Sequence, residues 1–309
     1  MGKTVVDWPK MATKTAHRSA NVIVSEQLKK NAADLEAAMK AHVVTWCGPI
    51  QPPVDQLIKQ AVEHRVKQGP RRAKRLALVL QTSGGYIETA ERIANTLRRH
   101  YSWIAFMVPN FAMSAGTVLV MAGDEIWMTY FSTLGPIDPQ IERRDGKGLM
   151  PALGYLAKYD ELVEKSRMGT LTSVEAAFFV QNFDAAELFS YEQSKQLSIE
   201  LLKEWLVKYK FKNWKRTRTH GHKVTLKMRR DRAEEIGQKL SKTDEWFSHS
   251  RGISMQVLKR KLKLEIEDID ANKDVRESLR NYYELLENYL GTIGAFGALH
   301  TSDLLIPFG

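Results

Sequence analysis

The sequence predicts an α/β fold. Short apolar runs that read as buried strands alternate with segments of helical spacing, and glycine-rich turns sit where strands give way to helices. With 309 residues of which 43% are hydrophobic, the chain can bury a substantial core. Strands separated by helices imply a parallel sheet, because a parallel partner is reached only through a crossover long enough to hold a helix.

A polar arm opens the chain and leads into a helix predicted from Ser25 to His42, whose Ser-Glu-Gln-Leu start resembles a capping box with Gln27 one position out of place. Asp55 to Gln68 reads as a second helix after the Pro52-Pro53 break. Leu76 to Leu80 is an apolar run between a basic cluster and a glycine pair, which suits a buried strand, and Ile87 to Arg99 has helical spacing at Ile87, Ile93, Ala94 and Leu97. The unit recurs: Trp103 to Val108 reads as a strand, Ser114 to Ala122 as a short apolar helix, and Glu125 to Tyr130 as a third strand. Beyond Pro151 the text turns helical, over Ala152 to Arg167, Ser173 to Asn182, Ala185 to Tyr209, Arg232 to Leu240, Ser254 to Lys263 and Asp274 to Leu290. The chain thus divides into an arm and helix (1–42), an α/β core (43–210), and a basic segment with a helical extension packed on that core (211–309).

Composition excludes several classes. The single cysteine, Cys47, can form no internal disulfide, so the fold does not call for an oxidising compartment and cytoplasm is the default. Charged residues interrupt the N-terminal apolar stretches and no run reaches membrane-span length, so no membrane insertion is expected. The formal charge of +10 is concentrated from Lys208 to Arg230, a stretch without an acidic residue in which Tyr209, Phe211 and Trp214 are interleaved. Such a stretch can bind nucleic acid or an acidic partner, or it can be a solvated insertion balanced by Glu265, Glu267, Asp268 and Asp270. No DNA- or RNA-binding spacing accompanies it, which favours the solvated reading. His220 and His222 lack ligand-spaced Cys or carboxylate partners, so no metal is expected, and without a GxxxxGK sequence neither is a nucleotide cofactor.

Chemistry in open α/β sheets collects at the carboxyl ends of strands, and two motifs fall there. Gln81-Thr82-Ser83-Gly84-Gly85-Tyr86 follows the first predicted strand, and its paired glycines allow a turn whose backbone N–H groups face a substrate; an ordinary tight turn is the plainer explanation. Ala112-Met113-Ser114-Ala115-Gly116-Thr117 follows the next strand and opens a helix. Ser114 there is either a helix N-cap, the ordinary role for serine at that position, or an exposed nucleophile beside the N–H of Ala115.

Taken together, LQTSGGYIETAERIANTL, FAMSAGTVLVMAGDEIWM and STLGPIDPQI, in that order, resemble the core of the ClpP-class serine peptidases, and most of all the serine dehydrogenase proteinase family. The later blocks HGHKVTLKMRRDRAEEIGQKL, WFSHSRGIS and LKLEIEDID are similar to that family's C-terminal half, so the resemblance spans about Val43 to Asp270. It implies a ClpP/crotonase-like spiral of βαβ units in which Ser114 attacks a peptide carbonyl, the amides of Gly84 and Ala115 stabilise the oxyanion, and Gly85 helps to form the substrate-binding turn. It also implies a peptide or protein substrate, no cofactor, and assembly into homo-oligomers through helices such as 185–209 and 274–290.

The general base stays open. The ClpP branch places a histidine near Gly135-Pro136-Ile137-Asp138-Pro139, where this sequence has none. The SppA branch uses a lysine, for which Lys158 is the nearest match, and a lysine serves only where its pKa is lowered toward neutrality. His249, in WFSHSRGIS, is a third candidate, equally readable as a structural histidine. Asp138 holds its turn or orients a base. Two other functions remain: a non-catalytic ClpP-like scaffold or nucleic-acid-associated module using residues 208–230, and acyl-CoA chemistry of the crotonase type, which the SGG and MSAG segments fit less well.

Overall fold

The computed structural model describes residues 19–68, 74–137, 140–142, 149–217, 219–241, 246 and 251–309. In chain order, α1 (Ala20–Met39) leads to β1 (His42–Cys47), α2 (Val54–Gln68), β2 (Arg75–Gln81), α3 (Ile87–His100), β3 (Trp103–Val108) and β4 (Phe111–Ala112). Then come α4 (Ala115–Val120), β5 (Glu125–Met128), β6 (Thr133–Leu134), β7 (Gln140–Glu142), β8 (Leu149–Pro151), α5 (Ala152–Arg167), α6 (Ser173–Asn182) and α7 (Ala185–Trp205). The last part holds α8 (Leu226–Ser241), β9 (Ile253–Ser254), α9 (Met255–Lys261), β10 (Glu267–Asp268), α10 (Lys273–Ile293), β11 (Gly297–Thr301) and β12 (Leu305–Phe308).

Seven strands form one sheet in the order β10-β5-β3-β2-β1-β11-β12, parallel from β10 to β1 and antiparallel from β1 through β12. The central strands read as continuous apolar runs because both of their faces are covered. On one face Leu76, Leu78, Leu80, Ile104, Phe106 and Val108 meet α2, α3, α4, α7 and α8. On the other, Val43, Ala77, Val79, Ala105 and Met107 meet α1 and α10 through Leu28, Leu35, Leu279, Tyr282 and Leu286. Ala77 and Ala105 are the small members of that second face, which lets two long helices lie close against it.

Several predicted bounds move. α1 begins five residues before Ser25, capped by Ser19, whose hydroxyl accepts the Val22 N–H at 3.4 Å, so the Ser25 capping box is not used. It stops at Met39, three residues before the predicted end at His42, because Lys40 takes the left-handed conformation at φ 50° and frees His42 to open β1, a fully buried strand. The third predicted strand ends at Met128, where Thr129 and Ser132 close a turn through their hydroxyls at 2.8 Å. The helix predicted over Ala185 to Tyr209 changes register at Leu206–Lys210 into one π turn. The C-terminal part is helical as expected, and it also supplies three strands of the central sheet: β10 at one edge, β11 beside β1 and β12 beyond it. Among the described residues no helix is long and apolar enough to cross a membrane.

The seam between β1, β11 and α10 contains a buried polar chain: the Tyr282 hydroxyl is 2.6 Å from Thr45 Oγ1 and 2.7 Å from His300 Nδ1. Burial, with a smaller contribution from the Lys29 charge, holds the His300 imidazole down to about 4. An unfolded histidine takes up its proton near 6.5, so between those values the unfolded chain binds the extra proton and folding weakens as pH falls. Urea unfolding at about pH 7 and about pH 4.5 is expected to show a loss of up to about 3 kcal/mol from this group, and His300→Gln is expected to flatten that slope.

Candidate active site

β4 delivers the chain into Ser114, and α4 begins only at Ala115. Ser114 has φ 50° and ψ −120°, a region in which an L residue with a Cβ is strained by about 1–3 kcal/mol unless its surroundings enforce it. Its side chain makes no capping hydrogen bond to α4, so the helix-cap explanation of this serine does not hold. The residue is 2% exposed. A sharp strand-to-helix turn of this kind aims a hydroxyl away from the helix, toward whatever lies beyond the ends of the strands.

The enforcement comes from two neighbouring segments. Thr82, just past β2, clamps the approach to Ser114: its N–H donates to Phe111 O at 3.1 Å and its carbonyl accepts the Met113 N–H at 3.0 Å. Its hydroxyl accepts the Gly84 N–H at 3.0 Å, an Ser/Thr turn that folds the glycine pair back toward the serine. On the far side Thr117 Oγ1 lies 2.8 Å from Ala112 O and 2.9 Å from Gly135 O, to one of which it donates, while it accepts the Gly135 N–H at 3.0 Å. The Gly135-Pro136-Ile137 turn is thereby tied to the strand that carries Ser114.

Glycine is obligatory at the contact between the two motifs. Gly84 has φ 95°, and a Cβ there would stand 2.8 Å from Ser114 Cβ and 2.7 Å from Met113 O. At Gly116 a methyl would come within 2.3 Å of Thr82 Cγ2. Four segments surround a narrow cleft at Ser114: Gly85 to Glu88 at the start of α3, Ser114 with Ala115, Ile137, and Ser194 with Ser198 one turn apart on α7. Its volume is about 20 Å³, room for about one water molecule.

Of the residues singled out from sequence, Ser114, Ala115 and Gly85 meet in this cleft. Gly84 packs against Ser114 with its N–H accepted by the Thr82 hydroxyl, while Gly85 and Ala115 line the cleft. Lys158 is not brought to Ser114's cleft: it lies exposed on α5 with Nζ 3.0 Å from each carboxylate oxygen of Glu161. His249 and Asp138 lie outside the described residues, as does the arm before Ser19. The strand after His249 is described, however: β9 pairs antiparallel with β6 (Leu134 opposite Ile253), and β6 pairs in parallel with β4 (Ala112 opposite Leu134).

Thr82, Thr117, Ser194 and Ser198 were missed by sequence reasoning. Thr82 had a signal, a hydroxyl residue two before a glycine in a turn, but the serines of α7 are ordinary polar residues of a long helix. The basic stretch divides in two. Lys212 pairs with Asp124, which also binds Arg98 at 2.8 Å, Arg98 stacks 3.7 Å over the Tyr209 ring, and Phe211 is buried, so this part is structural. Lys215, Arg216 and Lys223 remain exposed on a turn closed by the Arg216–Lys223 bridge.

Residues 26–178 match the sequence model of a family described as ClpP-like SDH-type serine proteinase. The resemblance carried by the SGG, MSAG and LGPID segments is thus shown over that stretch, and with it the ClpP-like α/β fold. Two uncharacterized proteins of Methanocaldococcus jannaschii are also similar. One is 28% identical over 218 residues, covering 71% of this chain and 58% of its own length, and the other is 28% identical over 167 residues, covering 53% and 52%. The chain therefore spans little more than half the length of these curated relatives. Among solved structures, a serine-to-alanine mutant of the 1510-N membrane-bound stomatin-specific protease has a TM-score of 0.45 at 11% identity, covering 78% of this chain and 83% of that chain. A lysine-to-alanine mutant of that protease in complex with a substrate peptide has a TM-score of 0.44 at 13% identity, covering 74% and 76%.

The Thr117 hydroxyl is the test of how the turn is held. Thr117→Val leaves the Gly135 N–H without its acceptor and is expected to destabilise by about 1–3 kcal/mol in chemical denaturation, whereas Thr117→Ser keeps the hydroxyl and stays within about 1 kcal/mol of the parent.

Proposed function

We propose that this chain, matched over residues 26–178 by the ClpP-like SDH-type serine proteinase family, hydrolyses peptide bonds with Ser114 as the nucleophile. The observation that carries the reading is the backbone of Ser114. A serine held at φ 50° whose side chain does not cap the adjoining helix is strained for a reason other than capping, and strain of that kind collects at reacting groups. The N–H groups of Ala115 and Gly85 act as the oxyanion donors. Donors fixed in advance, in a site with room for about one water, stabilise the charge developing on the carbonyl oxygen by a few kcal/mol each.

The base in this proposal is His249, oriented by Asp138. Support comes from connectivity: His249 is four residues before Ile253, which sits opposite Leu134, and Ala112, two residues before Ser114, sits opposite Leu134 on the other side. Four residues of chain reach at most about 14 Å, so the order of the chain is compatible with a histidine base at this site. Asp138 directly follows Ile137, which lines the cleft. The setting of Lys158 beside Glu161 disfavours the lysine alternative.

As Ser114 Oγ bonds to the carbonyl carbon, its proton passes to the His249 imidazole and the carbonyl π electrons move to the oxygen facing the two amides. Collapse of the tetrahedral species breaks the C–N bond, and the imidazolium gives its proton to the departing amine. Water then repeats the sequence on the acyl-serine: the imidazole takes its proton, the Oγ–C bond breaks, and the carboxylic acid leaves with Ser114 regenerated. Self-association belongs to the same proposal, supported by exposed Val174, Val180 and Phe189 on α6 and α7.

A fluorophosphonate probe tests this directly. Wild type is expected to be labelled and Ser114→Ala not, with peptidase activity lower by at least about 1000-fold; equal labelling of the two proteins would refute the assignment. His249→Gln is expected to lose at least about 100-fold in kcat, and Lys158→Met less than about threefold. Gly84→Ala, whose methyl collides with Ser114 Cβ, is expected to abolish labelling in a protein that still unfolds cooperatively.

A further inference from the structure

We infer that the cleft beside Ser114 selects peptides whose residue before the scissile bond has a small uncharged side chain, that is glycine, alanine or serine; the inference rests on Ser114 being the nucleophile. When a carbonyl carbon is within about 3.5 Å of Ser114 Oγ and its oxygen faces the amides of Gly85 and Ala115, the adjoining Cα and its substituent must enter the same cleft. What remains to receive that substituent is bounded by Ile87, Ile137, Ser194 and Ser198.

These walls are fixed. Ile87, Ile137 and Ser198 are 5%, 1% and 4% exposed. The Ile137 N–H donates to Leu240 O at 3.0 Å, which anchors its turn to α8. The Ser198 hydroxyl donates to Ser194 O at 2.8 Å, so it is turned into its own helix, and α7 is held by Leu201, Leu202 and Trp205 in the core. The narrow space of about 20 Å³ between such walls suits a methyl or hydroxymethyl group better than an isobutyl group or a ring. Among the described residues the lining has no Lys, Arg or His and carries the exposed carboxylate of Glu88, which disfavours an acidic residue at the cleft.

The experiment uses full-length protein and a series of fluorogenic peptide amides that differ only in the residue before the scissile bond: Ala, Ser, Leu, Phe or Asp. Expected kcat/KM for Ala and Ser exceeds that for Leu, Phe and Asp by at least about tenfold, since a single methylene too many is worth about 10–200-fold. Ser198→Thr, which adds one methyl group to the wall and keeps the hydroxyl that bonds Ser194 O, is expected to lower cleavage of the Ala peptide at least threefold. Ile137→Ala is expected to raise the Leu-to-Ala ratio about tenfold. Because Ile137 is a core residue, Ile137→Val provides the conservative version, with a shift in the same direction of about threefold. Ser114-dependent cleavage in which Leu or Phe equals or exceeds Ala, or a Leu-to-Ala ratio unmoved by both Ile137 variants, overturns the inference while leaving the nucleophile intact. Cleavage that persists in Ser114→Ala overturns the nucleophile and the inference together.

Discussion

The clamp between Thr82 and the Phe111–Met113 segment is the constraint on which the rest of the site depends. Two backbone hydrogen bonds fix the segment's position, the threonine hydroxyl bends the following glycines toward it, and the threonine methyl fills the space left open by Gly116. One side chain therefore determines both how close the SGG turn comes to Ser114 and where the Gly84 N–H is bonded. Thr117 does the same from the other side, so the strained backbone at Ser114 lies between two buried threonines. Each satisfied buried hydroxyl contributes on the order of 1 kcal/mol, and together they are of the size needed to hold a residue in a conformation it would not choose alone.

The sheet supplies the rigidity that this arrangement requires. Its central strands alternate their side chains between two separate cores, one built with α2, α3, α4, α7 and α8, the other with α1 and α10. Shifting any central strand by one residue would exchange the contents of those cores, so register is strongly specified. The turns that follow β2 and β3 inherit that precision. Function and packing compete at only a few positions: at Gly84 and Gly116, where any side chain would stabilise the unfolded-to-folded balance of backbone entropy, contact geometry forbids one.

Much of this was legible in the sequence. The β2-turn-α3 and β3-turn-α4 units announced themselves because buried parallel strands are apolar without interruption and their helices, such as α3, are amphipathic. Ser114, Ala115 and Gly85 were found because glycine pairs and a serine after a strand are local signals. β1 and β11 were not, because HVVTWC and GALHT carry no alternation and owe their strand character to partners on both sides, a tertiary effect that propensity does not register. Which glycine of the pair turns its amide to a substrate is not legible in one dimension, because an amide facing a substrate and an amide bonded to a neighbouring threonine look identical there. Lys158 was attractive for its spacing alone, and spacing says nothing of Glu161, three residues on, which keeps its ammonium group paired. Ser194 and Ser198 were invisible because their importance lies wholly in where α7 crosses the chain's earlier turns.

The pairing of β1 with β11 has a consequence for how the molecule comes into being. Val44 meets Thr301 across more than 250 residues of chain, the longest-range contact that the central sheet makes. Ile50, just past β1, in turn accepts the Tyr86 N–H and donates to Gly84 O, so β1 is the buttress of the glycine turn that fronts Ser114. Closing so large a loop is slow and entropically opposed until its contacts form together. The Ser114 turn is synthesised well before residues 297–301, so its buttress is held from both sides only when that distant strand has docked.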